Sequence, residues 1–180
     1  MKMTTITSLT CDFHSNPLGL GNPTPSLSWQ MRSERAGARQ VAYRIVATSA
    51  AGKTGDVWDS GRIERDSSVQ VPFGGKPLTS RQRVVWRVTV WDELGDAHTS
   101  TPAWFEAGLL NAKDWRAKWI GGSLVGGARS QIPAPHLRKQ FVLAARPAQA
   151  RLHITALGLY QVWINGKRVG SAEFAPGWTD

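Results

Sequence analysis

Hydrophobic and polar residues alternate most clearly along Arg83-Val-Val-Trp-Arg-Val-Thr-Val-Trp-Asp-Glu-Leu-Gly95. Val84, Trp86, Val88 and Val90 fall on one face of an extended chain, and Val85, Arg87, Thr89 and Trp91 on the other. β-Branched and aromatic side chains at period two fit a half-buried pleated strand, and Asp92, Gly95 and Asp96 supply a turn after it. One strand cannot stand alone in water. The pattern therefore predicts sheet partners upstream and a strand folding back downstream, from Thr99 to Glu106. Upstream, Leu27 to Met31 and Gln40 to Thr48 repeat the alternation, the second placing Val41, Tyr43, Ile45 and Ala47 inward. Val57 to Gly61 and Ser67 to Pro72 read as shorter strands, with Gly74, Gly75 and Pro77 breaking the chain before the long one. The first 25 residues, which include Pro17, Gly19, Gly21, Pro23 and Pro25, predict an irregular edge segment. About six or seven short strands with frequent turn signals describe a two-sheet β-sandwich of roughly 100 residues.

The second half repeats the theme less regularly. Lys113 to Ala117 is short and polar and reads as a hinge, and Gly121 to Pro135 reads as a long loop. Strands are predicted over His136 to Leu143, Ala150 to Ala156 and Leu159 to Ile164. Asn165-Gly166 then signals a two-residue hairpin, since both positions of a type I′ turn need positive φ. Helical periodicity is absent, so the fold class is all-β.

Composition narrows the function without fixing it. The 180 residues are 41% hydrophobic, the range of a globular chain, and carry a formal charge of +9. The Lys and Arg are scattered and form no basic run, which argues against nucleic acid as a partner. Cys11 is the only cysteine, excluding an internal disulfide. The N-terminus has no apolar core of signal-peptide length and no stretch could span a membrane, so the expected compartment is the cytoplasm. Nine tryptophans stand out, because a flat indole serves equally to fill a core and to stack on a sugar.

A family resemblance emerges from the order of the motifs. Pro25 to Trp29, Gln40 to Ile45, Val57-Trp-Asp-Ser-Gly61, Trp86 to Asp92 with Gly95, and Trp104 to Leu110 resemble the fibronectin type III-like domain that opens many bacterial α-L-rhamnosidases. Asp114-Trp-Arg-Ala-Lys-Trp-Ile120, Leu137 to Phe141, Arg151 to Tyr160, Asn165 to Gly170 and Ala175 to Asp180 resemble the start of the jelly-roll domain that follows in the same enzymes. The resemblance implies an immunoglobulin/fibronectin III-like β-sandwich over 1–110, a linker over 111–117, and a partial β jelly-roll over 118–180, with only about four of the eight strands a jelly roll needs. Val84 departs from the pattern, standing two residues before Trp86 where such strands commonly carry a corner Tyr.

The resemblance also implies where chemistry is and is not expected. These enzymes invert at the sugar using two carboxylates in an (α/α)6 barrel C-terminal to the β-domains. That barrel lies outside the present sequence, so no catalytic residue and no cofactor are expected here. The acids, Asp56 with Asp59, Asp92 with Glu93, and Glu106 with Asp114, fall at predicted turns and strand ends. His14, His98, His136 and His153 lack metal-ligand spacing, so no metal site is expected, and Cys11 has no evident base beside it. Trp29, Trp86 and Trp163 alternate as core residues. Trp58, Trp91, Trp115, Trp119 and Trp178 lie near strand ends and are the candidate carbohydrate-binding residues. Three readings compete: a non-catalytic N-terminal accessory portion of an α-L-rhamnosidase, whose partners would be rhamnosides and the missing barrel; a stand-alone carbohydrate-binding module; and a basic nucleic-acid binder. The half-built second sheet further predicts a homodimer through its apolar face.

Overall fold

A computed structural model describes residues 3–50, 53–123, 126–127 and 132–176. The chain divides into two compact units, Met1–Trp119 and Ile120–Asp180.

The first unit is built on two sheets. Strand β1 (Thr4–Cys11), β3 (Ser26–Ser33) and β6 (Val71–Pro72) form the smaller sheet in the order β1-β3-β6. The larger has the order β2 (Leu18–Leu20), β9 (Ala103–Ala107), β7 (Arg83–Asp92), β4 (Gln40–Ser49) and β5 (Trp58–Asp59), with β8 (Ala97–Thr99) also paired to β7. The alternation along β7 places its even-numbered residues inward, with Val84, Val88 and Val90 at 0% exposure and Trp86 at 1%. Their counterparts are Ile6, Leu27 and Trp29 of the smaller sheet, so both inner faces share one core. Trp29 meets Tyr43 edge-on at 5.1 Å and Phe73 meets Phe105 at 5.8 Å, the geometry that aromatic quadrupoles favour. One buried polar side chain is fully used within this core: Gln40 accepts the Trp29 indole N–H at 2.9 Å and donates to the carbonyls of Arg65 and Ser67.

Four departures from the sequence pattern have local causes. The opening segment is a paired edge strand, because Thr4–Cys11 precedes the first proline and its Ile6 and Cys11 enter the core. Val41, expected inward, is only half-buried, because the β4–β7 register shifts between Gln40 and Ala42 and turns Gln40 and Tyr43 inward on either side of it. The return strand is cut in two, β8 and β9 pairing with successive parts of β7. At the cut, Ser100 donates its N–H to the Val88 carbonyl, and its hydroxyl accepts the Val88 N–H at 3.1 Å, replacing a ladder bond. The Ser67 to Pro72 and Val57 to Gly61 segments form ladders of only two residues each.

Residues 111–117, expected as a linker, contain a 3-10 turn at Ala112–Asp114. The Ser80 hydroxyl donates to the Asp114 carboxylate and accepts the Leu110 N–H at 2.8 Å, tying the turn to the loop before β7.

In the second unit the strands expected over 136–143 and 150–156 are absent, and Leu159 to Ile164 is a strand only over its last two residues, with an isolated bridge at Tyr160. Its hairpin, β10 (Trp163–Ile164) with β11 (Lys167–Arg168), forms where predicted. Asn165 and Gly166 hold φ of 50° and 75°, as a type I′ turn requires. Extended segments need a neighbouring strand for their N–H and C=O groups. Among the described residues here, pairing is confined to this hairpin and to isolated bridges at Gly127 and between Tyr160 and Ala175. Trp163, expected in a core, is accordingly 53% exposed.

Candidate functional site

The outer face of the larger sheet carries the most distinctive chemistry. The Arg62 guanidinium sits 4.7 Å from the centre of the Trp91 ring, and the Arg83 guanidinium 4.0 Å from that of Trp104. Trp104 and Arg83 come together because Trp104 lies opposite Val85, and Arg83 is two residues away on the same face of β7. Each of these arginines also meets an acid, Arg62 to Glu64 at 2.7 Å and Arg83 to Glu106 at 3.8 Å. Arg44 forks onto Asp59 at 2.9 and 2.5 Å. That hydrogen bonding, with help from the Gly61 N–H, brings the Asp59 pKa down to about 2. The result is a sheet face of indoles shielded by guanidinium planes.

The structure separates the candidate carbohydrate-binding tryptophans. Trp58 packs against the core, its ring edge-on to Phe73 at 5.2 Å and 2.8 Å from the point where a Gly74 side chain would begin. Trp91 is on the opposite face of the same sheet under Arg62, so these two rings cannot form one platform. Trp115 follows the 3-10 turn and is 39% exposed, and Trp119 is 67% exposed. Trp178 lies outside the described residues. The Arg83–Trp104 stack was not anticipated from the sequence. Alternation places both residues on outer faces, but only the register between β7 and β9 brings them into contact.

The acids singled out in the sequence hold turns together. Asp56 accepts the N–H and hydroxyl of Ser49, each at 2.7 Å, and its pKa falls below the ordinary range, the hydroxyl being the main cause. Asp92 is 2% exposed. Burial pushes its pKa upward, but the N–H groups of Asp96 and Leu94, the His98 ring at 3.3 Å and Arg35 at 2.9 Å outweigh it, and the net shift is downward. Glu93 is brought to about 2, mainly by Arg35 and then by the Arg39 N–H. Asp114 also lies below its usual value through the Ser80 hydroxyl. Cys11 is buried at 1% exposure, and burial, with the nearby Asp12 charge, pushes its thiol up to about 12. A thiol so protonated is a poor nucleophile. Among the described residues no three His, Cys, Asp or Glu side chains cluster as a metal site would require.

Two antiparallel-rich sheets closed around one aromatic core define a domain of the immunoglobulin class. Residues 6–111 match the model of the Rha78A-like, N-terminal immunoglobulin domain, and the chain belongs to that family. Residues 145–180 match the α-L-rhamnosidase N-terminal domain. An α-L-rhamnosidase of Formosa agariphila is 40% identical over 174 residues, which cover 91% of this chain and 19% of that protein. One of Streptomyces avermitilis is 48% identical over 123 residues, covering 67% of this chain and 12% of the other. The crystal structure of native α-L-rhamnosidase from Aspergillus terreus superposes with a TM-score of 0.71 at 26% identity, covering 98% of this chain and 20% of that one. The chain thus spans a fifth or less of these relatives.

Proposed function

We propose that this chain is a non-catalytic accessory portion of an α-L-rhamnosidase, an enzyme that removes terminal α-L-rhamnose from glycosides with carboxylates of a barrel domain. The match of the chain to a fifth or less of relatives bearing that name carries the reading. In it, the first unit is a rigid support, and the second, with its apolar side chains exposed, is the start of a jelly-roll covered by the rest of such an enzyme. A carbohydrate-binding role is the second reading, favoured by the exposure of Trp119 at 67% and of Trp115 at 39%.

The test is a graft. The matching N-terminal region of the Streptomyces avermitilis enzyme is deleted, or replaced by this chain, and hydrolysis of an aryl α-L-rhamnoside is measured. Deletion should abolish soluble activity, replacement should restore it, and the chain alone should give no turnover. Turnover by the chain alone, lost on substituting one of its own Asp or Glu residues, would overturn the reading. So would full activity of the deleted enzyme.

A further inference from the structure

Around the outer face of the larger sheet, three arginines have acidic partners: Arg44 with Asp59, Arg62 with Glu64 and Arg83 with Glu106. A fourth, Arg87, is exposed and has no ion-pair partner among the described residues. Its Cα pairs across the ladder with Val46, and beside it opens a groove of about 290 Å³. Val46 and Val85 give this groove an apolar floor. Thr48, Ser49 and Thr54 line it with hydroxyls. The Ser49 hydroxyl is taken by Asp56, whose charge it helps to satisfy. The Thr48 oxygen accepts the Gly55 N–H at 3.1 Å, which leaves its own proton free to donate. Thr54 is exposed. Trp86 contributes only backbone to the groove's edge, since its ring points into the core on the other face of the sheet.

An apolar floor, free hydroxyl donors and one uncommitted guanidinium suit a ring that has a C–H face, several hydroxyls and a single negative charge. A guanidinium fork matches a carboxylate bidentately, which a neutral sugar cannot exploit. The volume is at the lower end for small-molecule sites, about 300 Å³, enough for one sugar ring. We propose that this groove binds a carboxylate-bearing saccharide, a uronic-acid residue, through Arg87. The choice of a saccharide over another organic acid rests on the carbohydrate reading above, while the binding measurement is independent of the graft experiment and can fail without it.

The test follows amide chemical shifts of the full chain during titration with sodium D-glucuronate, D-glucose or sodium acetate at constant ionic strength. Glucuronate should shift the amides of Val46, Thr48, Val85 and Arg87 saturably, with acetate and glucose each at least about tenfold weaker. Arg87→Gln, on an exposed side chain, should weaken glucuronate at least about tenfold while leaving the remaining amide spectrum in place, and Thr54→Ala should weaken it less. Equal binding of acetate would reduce the site to a bare anion contact and overturn the proposal. Unchanged glucuronate binding in Arg87→Gln, or no saturable shift in these residues, would overturn it as well.

Discussion

At the scale of single residues, Trp86 shows how much one side chain decides. It is 1% exposed at the middle of β7, and its indole is surrounded by the shared core of both sheets. Removing that ring leaves a cavity that backbone pairing on both sides of β7 prevents from collapsing, so Trp86→Ala should cost about 3–5 kcal/mol by urea unfolding of the first unit. A loss below about 1 kcal/mol would mean that the inner face of β7 had been misassigned. The indole N–H is buried without an acceptor, an arrangement that itself costs about 1–3 kcal/mol. Trp86→Phe relieves that cost while losing volume, and should therefore lie well below Trp86→Ala. Trp29 offers the contrast, because its N–H is satisfied by Gln40 at 2.9 Å.

At the scale of elements, the alternation along β7 was legible because four consecutive inward positions are large and β-branched or aromatic. The shifted register of β4, the broken return strand and the paired opening strand were not legible. Each depends on pairing between strands separated in sequence, as Val88 with Ser100 shows, rather than on local pattern. The candidate tryptophans illustrate the same limit: strand position alone could not separate Trp58, enclosed by Phe73 and Gly74, from Trp91 on the far face. The turn after β7 was read from Asp92 and Gly95, but its mechanism required the structure. Asp92 gathers two turn N–H groups, Arg35 and His98, and Glu93 binds the same Arg35. Both carboxylates have depressed pKa values in the fold, Glu93 near 2. A depressed carboxylate contributes stability at pH values above its unfolded pKa, and that contribution disappears as pH falls through the folded pKa. Stability should thus be flat above about pH 5 and decline from the ordinary carboxylate range near pH 4 toward pH 2. Asp59, also near 2, adds to the slope only weakly because its side chain is 36% exposed. Urea midpoints measured from pH 6 to pH 2.5 should show this fall. Arg35→Gln should lower the plateau and flatten the decline; an unchanged slope would remove this turn as the source.

At the scale of the whole molecule, the two units differ in what they leave exposed. The first encloses one core, while the second shows Leu137, Phe141, Val142, Leu157, Trp163 and Phe174 among its open apolar side chains. Residues 120–180 also carry seven Lys and Arg (Arg129, Arg138, Lys139, Arg146, Arg151, Lys167 and Arg168) against two acids, Glu173 and Asp180. Apolar exposure drives association at about 25 cal/mol per Å² buried, and like charge opposes it when the partner is a second copy. These two terms respond oppositely to salt. Screening shortens the reach of the repulsion from about 30 Å at 0.01 M ionic strength to about 8 Å at 0.15 M, whereas burial of apolar surface is not weakened. Sedimentation of the full chain should therefore show little self-association in dilute buffer and progressively more as salt is added. A fragment ending at Trp119, which keeps the Ser80–Asp114 contact, should stay monomeric throughout. An acidic surface with its own apolar patch would meet no such repulsion. If the full chain is monomeric at every salt concentration and its amides across Arg151 to Ile164 resist exchange, the second unit is self-sufficient and the covering surface is not needed.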